Sequence, residues 1–432
     1  METHIRIITI ILEMIQYKNK RLLLELIKAE LINNCGYLTE LAMIVSPKSY
    51  HTIQKIFSRV KFDYIAIQIE IILFILEVFD IKAVIIPIDD TLIYRSRRKR
   101  VPNGYKQYDH SLKPNRPEYV YGQKWLAFGL IIEIKGVRVS LPLFVYLVNP
   151  KENLISVSVS ILLKINRIIK KRGVKIKVDV LADAWFARKR LLLVLKHKCN
   201  FNFIVMGRVD LAMYKLPPHK RKGQKGRPRK RGKKLSIKLE DLNKEKTLHL
   251  YSRDVKVRYK EMIVKAGFLN SETVKVVWVE FDNNNSLRLI ISSDTTLSAV
   301  QMIEQYSLRW DIEVMFNELK NSFRFKDNIL HSVESYNRFL YFKIYSYIII
   351  KLTLLNHKKS IIEYIKEFLP WRIDHKKGVI ITTNSAKLAL NGFFSKLEID
   401  EFSPKMQKNK SRKSVNNESK GKSSSSMFEK TG

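Results

Sequence analysis

"WLAFGLIIEIKGVRVSLPLFVYLV", residues 125–148, holds two apolar runs parted by Lys135-Gly136. A polar residue followed by glycine suits a tight turn, so the segment reads as two paired strands. Upstream, "AVIIPI" (83–88) is a short, wholly apolar run of the kind that forms a buried strand. Downstream, "LISVSVSILLKINRIIKK" (154–171) fits a helix, and "IKVDVLADAWF" (176–186) is a strand running into a loop. "ARKRLLLVLKHK" (187–198) is helical, and "FNFIVMGR" (201–208) is another strand. The order β-β-β-α-β-α-β predicts an α/β fold in which three successive strands precede the crossover helices.

In such a sheet the first and fourth strands lie side by side and parallel, so their C-terminal ends converge. "PIDDT" puts Asp89 and Asp90 at the end of the first strand, and "LADAW" puts Asp183 just past the fourth. Taken singly, an Asp after a strand is a turn or cap residue. Together, carboxylates without a Cys or His cluster suit hard divalent cations, Mg²⁺ or Mn²⁺. Two such ions ~4 Å apart activate an oxygen nucleophile and stabilise the leaving oxygen in phosphoryl displacement.

A third carboxylate is available in "YSLRWDIEVMFNELK" (306–320), which has no Gly or Pro and reads as one helix. At ~100° per residue Tyr306, Arg309, Glu313 and Lys320 fall within about 60° of one another. Leu308, Ile312, Met315 and Leu319 form a separate core stripe, and Glu304, Asp311 and Glu318 point to the far side. The plain reading of the polar face is an Arg309–Glu313 surface ion pair. The other is a metal ligand flanked by cations.

The spacing Tyr-x2-Arg-x3-Glu-x6-Lys, met here by Tyr306, Arg309, Glu313 and Lys320, resembles the signature of a subgroup of DDE transposases of bacterial insertion sequences. "SSDTTLSAVQMIEQY" (292–306), "IDDT", "LADAWF" and the "GRPRKRG" run are similar in style. The resemblance covers roughly residues 80–345. It implies an RNase H-like mixed sheet flanked by helices, and two Mg²⁺ or Mn²⁺ ions held by Asp89, Asp183 and Glu313. The family pattern Asp-x-Ser/Thr fits Asp89-Asp90-Thr91, with Asp90 as the alternative ligand. Tyr306, Arg309 and Lys320 would contact phosphates of the transposon end, where Arg offers a bidentate fork and Lys a mobile point charge. Implied too are binding of terminal inverted repeats, hydrolysis that leaves a 3′-hydroxyl, transfer of that end to target DNA, and a homodimer or higher complex on paired ends. A nuclease of this fold without strand transfer, and an inactive DNA-binding remnant, are the alternatives.

Around that core the chain divides by composition. Residues 1–80 are expected to be a helical region and a candidate DNA-binding one, and 81–208 and 295–345 the two parts of the catalytic core that the resemblance implies. Residues 209–294 form a β-rich insertion with runs such as "KVVWVEF" and "LRLIISS". Residues 346–403 are C-terminal helices, and 404–432 are a basic tail with little to bury, expected to be disordered. "LTELAMIV-SPKS-YHTIQKIFSRV" (38–60) is either a helix-turn-helix or an ordinary helical hairpin, with Ser46 and Pro47 at a helix start.

Lys and Arg number 79 against 41 Asp and Glu, a formal net charge of +38, and a field of that sign favours a polyanion such as DNA. "HKRKGQKGRPRKRGKK" (219–234) concentrates it. Arg227 and Arg229 in this run lie either in an A·T-rich minor groove, as in an AT-hook, or against phosphates without preference. "RSRRKR" (95–100) is either a backbone-tracking loop or a solvated one. Trp185 and Trp278 are either core residues or faces for an unpaired base. Cys35 and Cys199 permit no disulfide framework and suit a reducing cytosol. The start, "METHIRIITIILEMIQ", lacks the features of a secretory signal, and charges at Glu70, Glu77, Asp80 and Lys82 interrupt the apolar stretch 65–88. A soluble, cytoplasmic, nucleoid-associated protein is expected.

Overall fold

The computed structural model describes residues 3–402 except residue 34 and segments 46–49, 97–100, 110–116, 219–226, 328–329, 375–377 and 400–401. Ser46, Pro47, residues 219–226 of the basic run, most of "RSRRKR" and the 404–432 tail lie outside the described residues. The chain divides into a helical unit, 1–73 with 318–432, and a sheet unit, 74–317.

Five helices open the chain: α1 (Thr3–Met14), α2 (Lys20–Ile32), α3 (Leu38–Ile44), α4 (Tyr50–Arg59) and α5 (Tyr64–Val78). The sheet follows with β1 (Ala83–Tyr94), β2 (Tyr105–Tyr108), β3 (Tyr119–Ile134) and β4 (Val137–Leu147). Lys135 and Gly136 both take positive φ (52° and 74°) between β3 and β4, the conformation that matches strand twist in a two-residue hairpin. Helix α6 (Leu154–Lys171) leads to β5 (Lys177–Ala182), and α7 (Lys189–Val194), extended by a π turn to Cys199, leads to β6 (Asn202–Gly207). Strands β7 (Met213–Tyr214), β8 (Lys244–Leu250), β9 (Arg253–Ala266), β10 (Glu272–Phe281) and β11 (Arg288–Ser292) complete the sheet.

The strand order is β2-β3-β1-β5-β6-β11-β10-β9-β7, with β4 on β3 and β8 on β9. Strand β1 runs parallel to β5 and antiparallel to β3, and β5 runs parallel to β6. This mixed sheet flanked by helices is RNase H-like. Residues 209–294 join it directly: β11 pairs antiparallel with β6, so their strands extend the central sheet instead of forming a sheet of their own.

Pro87 lies mid-strand, where it has no N–H to donate. The β3–β4 register shifts at Phe128/Gly129, beside it. A side chain at Gly129 would come within 2.9 Å of the Pro87 ring, so a bare backbone is needed there.

The stretch read as one helix is two. Helix α8 (Ala299–Ser307) ends before α9 (Trp310–Asn321) begins. Bonds from Arg309 N–H to the Tyr306 carbonyl (3.0 Å) and from Ile312 N–H to the Arg309 carbonyl (3.2 Å) tighten the junction into an i, i+3 turn. Helix α8 packs Ala299, Met302, Ile303 and Tyr306 against Leu181, Ile204, Val277, Val279 and Ile290 of the sheet. Its Ser298 N-cap accepts from Gln301 N–H, closing a capping box.

Helices α10 (Val333–Asn356), α11 (Lys358–Phe368) and α12 (Thr383–Ser395) belong to the helical unit. Among the described residues α10 alone is long and apolar enough to cross a membrane, and most of it is buried. Buried on nearly every side, it is the unit's central helix. Its fully buried Lys343 meets both oxygens of the equally buried Glu30 at 3.1 Å. Glu318 is not a spare surface acid: it accepts from Tyr347 (2.6 Å), Lys351 (2.9 Å) and Thr383 (2.5 Å), joining α9 to α10 and α12.

Candidate active site

Strand β1 runs six residues beyond Ile88, so Asp89 and Asp90 lie within it, not at its end as the sequence suggested. Its parallel pairing with β5 does stop at Ile88–Ala182, while β3 continues alongside to Tyr94. Past Ile88, then, one edge of β1 is released at the point where β5 turns away. Neighbouring strand residues face opposite sides of a sheet, which separates the two aspartates. Asp89 meets Arg309 (2.9 Å), whereas Asp90 lies 3.4 Å from Lys124.

Asp183 is the first residue past β5. Its Oδ1 accepts from the backbone N–H groups of Trp185 (3.0 Å) and Phe186 (3.2 Å), so it does close a turn. It also lies close enough to Asp89 for the two charges to repel. The turn role and a role in a carboxylate cluster are therefore compatible.

Arg309 stands at the α8–α9 junction with 18% of its side chain exposed. One guanidinium nitrogen reaches Asp89 Oδ2 (2.9 Å) and another reaches Glu313 Oε1 (2.7 Å). The Arg309–Glu313 ion pair of the plain reading is thus present. It is not confined to the helix surface, because the same fork ties in an acid 220 residues away. The buried Tyr306 hydroxyl hydrogen-bonds this guanidinium, and burial raises its pKa to about 12. Burial pulls the Arg309 pKa down, but Tyr306, Asp89 and Glu313 outweigh it and the net shift is upward. The junction also makes Glu313 a first-turn residue of α9, where the helix dipole favours negative charge.

Burial is the main cause that raises the Asp89 pKa to about 7; Arg309 opposes it and Asp183 adds to it. Asp183 is shifted upward as well, again chiefly by burial. Oxygen donors of this kind, crowded around one cation, have the chemistry of a hard-metal site. Among the described residues, however, no group of three Asp, Glu, His or Cys side chains stands in an arrangement that could hold a metal ion. The Arg309 guanidinium lies between Asp89 and Glu313.

Lys320 is in the last turn of α9, within the helical unit. Arg227 and Arg229 are exposed. Trp278 is core, 3% exposed, while Trp185 stands 43% exposed. Sequence reading missed Tyr251, at the β8–β9 turn with φ 54°. Its ring lies 6.2 Å from that of Trp310, and its hydroxyl is near enough to Arg309 and Glu313 to interact with their charges. The only available signal was a short turn between alternating strands, which says nothing about where its tip lies.

Residues 160–349 match the family model described as the transposase DDE domain, the match expected of a DDE transposase. The matched stretch contains Asp183, Tyr306, Arg309, Glu313 and Lys320 but not Asp89, whose association with them rests on the β1–β5 pairing and the Arg309 fork. No curated protein matches the chain.

Proposed function

We propose that this chain, with its transposase DDE domain, is a metal-dependent transposase of a bacterial insertion sequence. It binds the element's terminal inverted repeats, hydrolyses a phosphodiester to free a 3′-hydroxyl, and joins that end to target DNA. The observation that carries this reading is the Arg309 fork between Asp89 and Glu313, beside Asp183, where β5 ends in an RNase H-like sheet.

Asp89, Asp183 and Glu313 would hold Mg²⁺ or Mn²⁺, two ions by the resemblance, with Asp90 the alternative to Asp89. The metal, when bound, supplies Lewis-acid activation of the attacking oxygen and charge stabilisation at the leaving oxygen. Of the chain's own groups, Arg309 serves two purposes in turn. In the DNA-free protein its cation balances the crowded carboxylates. With a transposon end present, its fork turns to a phosphate, which it can grip with two parallel bonds. Tyr306 positions that fork, and Lys320 contributes a second phosphate contact by the family pattern. Arg227 and Arg229 hold DNA away from the reacting bond. The working form is a homodimer or higher complex on paired ends.

A short DNA fragment carrying the element's own ends, incubated with the protein and Mg²⁺, tests the reading. Joined products are expected. Cut but unjoined DNA would mean a nuclease, and shifted but intact DNA would mean a binding remnant; either result overturns the transposase reading.

A further inference from the structure

Next to Asp183 the sheet unit contains a cleft of about 490 Å³, lined by Asn153, Ile155, Ser156, Trp185, Arg188 and Arg190. Trp185 offers a large exposed indole, packed edge-on against the buried Phe186 (ring centroids 4.9 Å apart, planes at 77°). The two arginines have neutral oxygens as partners. Arg188 donates to the Trp185 carbonyl (3.0 Å), and Arg190 donates to the Ser156 hydroxyl (2.8 Å). Each guanidinium has five N–H donors, so most remain for a ligand. An exposed indole beside two such cations can take a base on its face and a phosphate on its rim.

Size and access limit the ligand. A cleft of this volume holds one small-molecule-sized group, not a duplex. In a duplex each base face is covered by the next base, so an indole can stack fully only on a base that is unpaired or terminal. The cleft is also linked to the carboxylate cluster, because the backbone N–H of Trp185 is one of the two donors that fix the Asp183 carboxylate.

We propose that this cleft binds one unpaired nucleotide of the DNA strand engaged at the active site. Its base stacks on Trp185 and its phosphate is held by Arg188 and Arg190. The assignment rests on the DNA reading above. It adds a contact outside the carboxylate cluster that selects frayed or single-stranded DNA over closed duplex.

The test uses the full chain with Ca²⁺ in place of Mg²⁺, so that DNA stays intact. Binding is measured to a blunt duplex and to the same duplex with a three-nucleotide overhang containing 2-aminopurine. The overhang is expected to raise affinity about tenfold, with quenching of the 2-aminopurine fluorescence. Trp185→Ala and Arg190→Gln should remove the gain and the quenching while leaving blunt-duplex affinity unchanged, and Trp185→Phe should restore part of both. Arg188→Gln, at an exposed position, gives the same readout should Trp185→Ala fail to fold. Equal affinity for both duplexes in the wild type, or equal losses on both in the variants, would overturn the assignment and leave the DNA reading standing. No binding to either duplex would overturn both. Displacement of the overhang by free AMP at equal concentration would also overturn it, by marking the cleft as a site for free nucleotides.

Discussion

Burial raises the Asp89 pKa to about 7, against the pull of Arg309 and with the push of Asp183. A carboxylate in that state holds a proton that the unfolded chain releases near pH 4. Its contribution to stability is therefore full below about pH 4 and is lost as pH rises through about 7. Cation binding has the opposite dependence, because a ligand must be ionised to coordinate. Mn²⁺ affinity of the DNA-free protein should rise about tenfold from pH 6 to pH 8 and level off above that. Calorimetric titration at the two pH values measures it, and Asp89→Asn should reduce the slope, leaving the part that comes from Asp183. A wild-type affinity independent of pH would exclude Asp89 as a ligand and favour Asp90.

At the scale of elements, two short helices take the place of the single helix read from 306–320. Nothing in the sequence marks the break, since the tightened turn at Leu308-Arg309 uses neither Gly nor Pro. The one-face wheel argument therefore rested on a geometry the chain does not adopt. Tyr306 and Arg309 come together through the turn, and Glu313 reaches them as a first-turn acid of α9. What periodicity did reveal is the apolar stripe: Ile312, Met315 and Leu319 are all buried. The β3–β4 hairpin and the parallel β1–β5 pair were legible too, because local apolar runs and one turn dipeptide suffice to specify them. The role of Glu318 was not, since its three partners lie 29 to 65 residues away. Glu318→Ala removes the carboxylate that accepts from a tyrosine, a lysine and a threonine, and at about 1–3 kcal/mol for each donor that loses it should cost about 3 kcal/mol or more. Thermal denaturation should show a lowered Tm for Glu318→Ala and none for Glu304→Gln, an exposed position on α8. Equal Tm values would mean that the Glu318 network adds nothing to stability.

Across the whole molecule, the surplus of 38 positive charges was readable from composition alone, and it states an attraction without an address. The address comes from long-range pairing. Strand β11 closing on β6 makes 209–294 a continuation of the sheet, a join that no local pattern announces. Arg227 and Arg229 are exposed near the start of those residues. Replacing both with Ala should weaken DNA binding and reduce the slope of log affinity against log salt by about one per lost phosphate contact. Comparing A·T-rich with G·C-rich duplexes separates the two readings of the run. Equal losses mean phosphate tracking, and a loss confined to A·T-rich DNA means minor-groove insertion. A salt slope identical to wild type would remove both arginines from the DNA contact.

Whether the site cuts DNA through its carboxylates is tested most directly by Glu313→Gln on a fragment carrying the element's ends, with Mg²⁺. Gln keeps the shape of Glu313 and a hydrogen-bond acceptor for Arg309 but loses the charge that would hold a cation. Cleavage should fall at least a hundredfold while affinity for the fragment stays within about threefold of wild type, since roughly 3 kcal/mol of lost transition-state stabilisation corresponds to that rate. Cleavage by Glu313→Gln at the wild-type rate would contradict the assignment and leave Arg309–Glu313 as no more than a structural ion pair.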